Sequence, residues 1–184
     1  MNRLKFNRAY LCGSMENSPD TGQDWRIRLQ KELEDLQIVW LDPTNKPSVH
    51  SIEDENTIGF LNELRNKGSY DIISDIMRPI RNMDLRLVDV SDFLVVHIDN
   101  TINSTGTFEE LFWANRQKKP IIVHCEQGKK AIGLWFFGTL SHELFFDTWD
   151  EVYNYIRLVD SDKANVDDRW KFFDFKLCGK NDGK

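Results

Sequence analysis

"DFLVVHIDNTINSTGTFEELFWANRQKKPIIVHC", Asp92 to Cys125, contains a complete strand–helix–strand unit. "DFLVVHID" is a short apolar run of the kind that forms a buried strand, and "PIIVHC" reads as the next strand. Between them a Gly-Thr turn opens a helical stretch that begins with two adjacent glutamates, Glu109 and Glu110. Such a βαβ unit brings its two strands together in parallel through a right-handed crossover.

The flanking sequence continues the alternation. "AYLCG", Ala9 to Gly13, is an apolar run closed by glycine, the pattern of a buried strand and its turn. From Thr21 to Leu36, Trp25, Leu29, Leu33 and Leu36 recur at helical spacing, with Thr21 and Asp24 as the N-terminal capping pair. "QIVWLDP" is a second strand stopped by Pro43. The polar segment from Asn45 to Ser69 reads as a long loop with a short helix near Thr57 to Arg65, so an insertion or lid is expected at about 43–69. An amphipathic helix is predicted from Tyr70 to Asp89, bent or interrupted at Pro79. "HELFFDTWDEVYNYIRL" supplies a short fifth strand and a closing helix, and a tail follows at about 160–184. The expected fold is α/β: one domain over residues 1–184, an open parallel sheet of about five strands with helices on both faces.

The 184 residues, 40% hydrophobic and 29% charged, suit a single domain with a continuous core. A net charge of −6 gives no general attraction to nucleic acid or to an acidic membrane. No apolar stretch approaches the ~18 residues of a membrane span, and no signal peptide is evident. Cys12, Cys125 and Cys178 are odd in number and far apart, which reads as reduced cysteines in a cytoplasmic protein. His50, His97, His124 and His142 have no ligand spacing along the chain, so neither a metal site nor a cofactor is expected.

In open α/β sheets, small molecules bind at the carboxyl ends of the strands. Gly13, the segment Asp99 to Gly106, and Cys125 to Gly128 all follow strands. Thr107-Phe108-Glu109-Glu110 fits the capping box T-x-x-E, in which Thr107 caps the helix and Glu110 reaches back to the backbone. The alternative is that Glu110 is an ionised nucleophile in a ligand cleft. Asp84, near Met83 and Leu87, is either a general acid or base toward a heterocycle or the partner of Arg81 or Arg86. Tyr10 either places its hydroxyl among these acids or is plain core. "EQGKK" lacks the first glycine and the Ser/Thr of a phosphate loop.

Together, "AYLCGS", "DLRLVDVSDFLVVHID" and "STGTFEELFWANRQKKPII" resemble the nucleoside 2-deoxyribosyltransferase family, particularly its phage-type members, from about Arg8 to Val123. The resemblance implies a flavodoxin-like sheet and a cleft in which the N-glycosidic bond of a 2′-deoxynucleoside is broken. Its motif register selects Ser104, Gly106 and Glu110, with Glu110 as nucleophile and Glu109 as a flanking residue. Tyr10 matches the tyrosine that positions the nucleophile, and Asp84 the aspartate that contacts and protonates the leaving base. Gly13, Ser104, Gly106 and Thr107 are then expected to line the substrate site. The implied chemistry is double displacement through a deoxyribosyl ester on Glu110, followed by transfer of the sugar to a second base, in a homo-oligomer.

Two features depart from the family pattern. Ser104 stands where transferases usually carry an aspartate for the 5′-hydroxyl; the related 2′-deoxynucleoside 5′-phosphate N-hydrolases carry serine there for phosphate. Glu16, in turn, stands where those hydrolases tend to place an arginine, for which Arg78 or Arg81 would have to substitute. The alternatives to a transferase are therefore a 5′-monophosphate N-glycosidase and a catalytically silent nucleotide-binding module.

Overall fold

The computed structural model describes residues 2–18, 20–46, 55–161, 163 and 168–173. In chain order the elements are β1 (Arg8–Gly13), α1 (Gln23–Glu32), β2 (Val39–Leu41), α2 (Glu55–Asn66), α3 (Tyr70–Val90), β3 (Phe93–Ile98), α4 (Thr105–Arg116), β4 (Ile121–Cys125), α5 (Leu134–Phe137), β5 (Phe145–Phe146) and α6 (Trp149–Asp160). The five strands form one sheet in the order β2-β1-β3-β4-β5, and every pairing is parallel. This is the flavodoxin-like order, with its switch point between β1 and β3.

The period of two along each strand divides the core into two. Ala9, Leu11, Phe93, Val95 and Ile122 point to one face, where Trp25 and Leu29 of α1 and Val152 and Ile156 of α6 cover them. Tyr10, Cys12, Leu94, Val96, Ile121 and Val123 point to the other, under Val88 of α3 and Leu111 and Ala114 of α4. Helices thus cover both faces, and the central strands read as nearly continuous apolar runs because both of their sides are buried.

Local chemistry changes several expected boundaries. The first helix starts at Gln23 behind Gly22, which sits in the left-handed region with no side-chain cap. Thr21 is not the cap; Asp20 accepts hydrogen bonds from the N–H groups of Gly22 (3.0 Å) and Asp24 (2.7 Å). A side chain at Gly22 would strike Arg26 and the Ser14 carbonyl, so glycine is required there on space as well as on φ. The helix from Tyr70 is not interrupted but runs 21 residues through Pro79. Pro79 and Asp75, whose carbonyl the proline leaves without its helical donor, both lie on the exposed side of the helix, where burial does not penalise that oxygen. Within the insertion, α2 extends past both ends of the expected Thr57–Arg65 helix, and residues 47–54 lie outside the described chain.

The expected tail divides in the same way. Trp170 is buried in the α1/α6 face, 5.3 Å from the Phe93 ring, and donates its indole N–H to Tyr155 Oη at 3.1 Å. Arg169 donates to the Lys119 carbonyl (3.1 Å) and to Asn115 Oδ1 (2.8 Å), so this segment docks on the body. Residues 174–184 lie outside the described chain. Among the described residues, no helix is long and apolar enough to cross a membrane.

Candidate active site

The carboxyl end of β1, one side of α3 and the start of α4 border a cleft of about 330 Å³, whose lining includes Tyr10, Asp84, Ser104, Gly106 and Glu110. Tyr10 and Cys12 alternate with Leu11 on β1, so both side chains face α4. The Tyr10 hydroxyl donates to Glu110 Oε1 at 3.0 Å, and the Cys12 thiol reaches Glu110 Oε2 at 3.0 Å. Each carboxylate oxygen therefore has its own donor, which fixes the direction in which the group points.

The capping box expected at Thr107 and Glu110 does not form. The helix begins at Thr105 with Ser104 in the N-cap position, which leaves Thr107 inside the first turn and buried. Glu110 then lies too far along the helix to reach back to its start, and turns to β1 instead. A genuine box sits at α6, where Thr148 and Glu151 bond each other's backbone N–H.

The carboxyl of Glu110 is pushed up to about 7, first by burial and then by the nearby charge of Asp84, while the Cys12 and Tyr10 donors act in the opposite direction. Burial, reinforced by the Glu110 charge, raises Tyr10 and Cys12 well above their ordinary ranges, so both keep their protons as donors at neutral pH.

Asp84 is buried on α3. Its partner is Lys46, whose ammonium lies 2.8 Å from Oδ1 and 3.0 Å from Oδ2 with no exposed side-chain surface. The expected pairing with Arg81 is replaced, because Arg81 extends to α4 and binds both carboxylate oxygens of Glu109, through Nε at 2.8 Å. Arg78 pairs along its own helix with Asp75 at 3.3 Å. Glu16, on the cleft wall, binds Arg65 of α2 at 3.1 Å and so ties the insertion to the cleft's edge.

The remaining expected positions are close by. The Ser104 and Ser14 hydroxyls bond each other across the start of α4. A side chain added at Gly106 would meet nothing within 4 Å, which leaves that wall open. Gly13 lines the cleft and also serves packing: a Cβ there would stand 2.9 Å from the Trp25 ring and 3.4 Å from the His97 carbonyl. Gly13→Ala is expected to cost about 1–3 kcal/mol of stability, measured by denaturant unfolding, because the large indole cannot yield.

Sequence reasoning missed three residues. Cys12 was accessible, since it lies two positions beyond Tyr10 on one strand and must share its face. Arg26 is fully buried and donates to the carbonyls of Leu11, Gly13 and Gly22, which holds the turn after β1 in shape. Its spacing within α1 did not announce this. Lys46 gave no signal, being 38 positions from Asp84 in a loop.

Neither a protein-family model nor a curated protein sequence matches the chain. Among solved structures, a 2-deoxyribosyltransferase from Bacillus psychrosaccharolyticus matches with a TM-score of 0.53 at 19% identity, over 80% of this chain and 91% of that one. A 2-deoxyribosyltransferase from Leishmania mexicana matches with a TM-score of 0.49 at 14% identity, over 82% of this chain and 96% of that one. A CMP N-glycosidase, BcmB, from Clostridium botulinum matches with a TM-score of 0.45 at 13% identity, over 83% and 99%. The chain therefore has the fold of the Bacillus psychrosaccharolyticus 2-deoxyribosyltransferase, the fold that its sequence resemblance implied.

Proposed function

We propose that this protein is an enzyme that cleaves the N-glycosidic bond of 2′-deoxynucleosides and transfers the sugar to a second base. The observation that carries this reading is the convergence of Tyr10, Asp84 and Glu110 on one cleft, with the Glu110 carboxylate bonded by Tyr10 at 3.0 Å. The cleft's volume falls in the range of small-molecule sites.

In this mechanism the ionised Glu110 attacks C1′ as the C1′–N bond breaks, and the bond's electron pair leaves with the base. Asp84 faces the base with the Lys46 ammonium behind it, and this pair delivers one proton to the departing nitrogen. An incoming base then attacks C1′, expels Glu110, and returns its own N–H proton to the pair, so the cycle balances. Tyr10 and Cys12 hold the nucleophile between steps. Cys12→Ala removes one donor from the ionised form, so the acidic limb of the pH–rate profile is expected to move above its position near 7. A full pH profile of kcat/KM checks this.

Two arginines near the cleft, Arg65 and Arg81, are each committed to a glutamate, Glu16 and Glu109. Their charge is thereby offset, which favours an uncharged 5′-hydroxyl over a 5′-phosphate. The monophosphate hydrolase is the second reading, favoured by the Ser14 and Ser104 hydroxyls at the start of α4, where phosphates bind readily. Incubation with deoxynucleosides and with their 5′-monophosphates, each with and without a second free base, separates the two by chromatography of the bases. Exchange of bases on nucleosides is the expected result; release from monophosphates alone would establish the hydrolase. Substrate binding without release, unaltered in Glu110→Gln, would instead mark a silent binding module.

A further inference from the structure

On the face of the sheet opposite Glu110, we propose a binding site for one divalent transition-metal ion, held by His97, His124 and Glu126. The parallel register of β3 and β4 sets His97 beside His124. Their side chains share the α1/α6 face, because each lies two positions beyond a residue of that core, Val95 and Ile122. Glu126 follows His124 by two positions, and its backbone is anchored by its N–H bond to the Ile98 carbonyl at 2.9 Å.

The geometry is close to that of a metal site. The two Nδ1 atoms are 2.9 Å apart. Glu126 Oε2 lies 3.9 Å from His97 Nε2 and 4.0 Å from His124 Nδ1, and one ligand atom from each of the three residues falls within 4.8 Å of the others. Metal–ligand bonds of about 2.0–2.1 Å put neighbouring ligand atoms roughly 3.0–3.4 Å apart. The two Nδ1 atoms are a few tenths of an ångström closer than that span, so the rings must turn to aim both nitrogens at one point, and Glu126, with a half-exposed side chain, closes the remaining distance. In the free protein one Nδ1–H donates to the other ring; when an ion binds both Nδ1 atoms, that ring takes its other neutral tautomer, with the proton on Nε2.

The surroundings reinforce the choice. Trp149 stacks on the His124 ring at 4.2 Å, and Trp25 lies 5.4 Å from the His97 ring, so both imidazoles are braced before any ion arrives. Two imidazoles and one carboxylate suit zinc, cobalt or nickel better than magnesium or calcium. Three protein ligands leave a position for water, and the ion would join β3 to β4 at the sheet's carboxyl edge.

The site is independent of the proposed glycosidic chemistry, and its test needs no substrate. The full chain, stripped with a chelator and desalted, is titrated calorimetrically with ZnCl₂ and, in parallel, with CoCl₂ while the cobalt absorption bands and tryptophan fluorescence are followed. The expected result is one ion per chain at micromolar affinity, with quenching of tryptophan emission by cobalt and a melting temperature raised by about 5 °C at a hundredfold excess over Kd. Glu126→Gln is expected to weaken binding at least tenfold and His97→Asn at least a hundredfold, while His142→Asn and Glu110→Gln bind as the parent does. Absence of one-to-one binding up to 100-fold molar excess overturns the proposal, as does unchanged affinity in Glu126→Gln. Because Glu126 is half-exposed, that variant decides the question even if His97→Asn fails to fold.

Discussion

Glu110→Gln is expected to lower base release from 2′-deoxynucleosides by ~10³-fold or more, because a carboxamide cannot form the sugar ester. The substitution keeps the shape of the side chain, so ligand binding should survive while turnover is lost. On the proposed mechanism the parent protein should gain activity as pH rises through about 7, the level to which burial and Asp84 push the Glu110 carboxyl. Rapid-quench analysis with denatured protein should find deoxyribose attached to the parent and none on the variant. Full activity in Glu110→Gln would exclude the covalent mechanism.

The same residue makes a stability prediction whose sign is fixed. A carboxyl raised from 4.5 to about 7 binds its proton more tightly in the folded than in the unfolded chain. Its favourable contribution is therefore complete below pH 4.5 and is lost as pH rises through about 7. The full shift would correspond to roughly 3 kcal/mol, but the carboxylate opens onto the cleft, and solvent there reduces the figure to about 1–3 kcal/mol. Glu110→Gln should thus be more stable than the parent at pH 8 and equal to it near pH 4, as read by denaturant midpoints.

Lys46→Met carries the second large effect. The ammonium has no exposed surface and lies 2.8 Å from an aspartate of which only 10% of the side chain is exposed. Removing one partner of a buried pair leaves the other charge without its counterion, at a cost of about 3–5 kcal/mol. Pairing the change with Asp84→Leu should recover much of that loss, since an apolar pair of similar volume replaces both charges. Stability in Lys46→Met equal to the parent's would show that the pair contributes nothing. On the mechanism proposed above, Lys46→Met should also slow base departure by about 10²-fold or more, and Lys46→Arg should restore part of it. A structural role alone predicts lost stability with normal turnover at low temperature, so the two readouts separate the roles.

Much of the fold was written in local patterns. The apolar runs at Ala9–Gly13, 92–99 and 120–125 each became strands, and the helical repeat of Trp25 and Leu29 became α1, which stops at Glu32, with Leu33 as its cap and a separate 3-10 turn from Glu34 to Leu36. The family motif register singled out Glu110 over Glu109, while Cys12, which period-two alternation puts on the face of Tyr10, was passed over. The boundaries were less legible where a side chain distant in space set them. Thr21 resembled a cap but was displaced by Asp20 in a turn held around Arg26. Thr107 and Glu110 matched a capping box in sequence, yet the helix started three residues earlier, with Ser104 as its cap, and freed Glu110 for Tyr10.

Hydrophobic periodicity and turn chemistry act over a few residues, so the chain alone specified strands, helices and their parallel pairing. Charge partners and ligand clusters depend on which strands become neighbours and in what register. Asp84 therefore paired with Lys46, 38 positions away, in place of its helical neighbour Arg81. By the same principle, His97 and His124, 27 positions apart and without ligand spacing in the chain, came within 2.9 Å only when β3 and β4 aligned. Side-chain reach is short, and the assembled sheet alone brings such residues inside it.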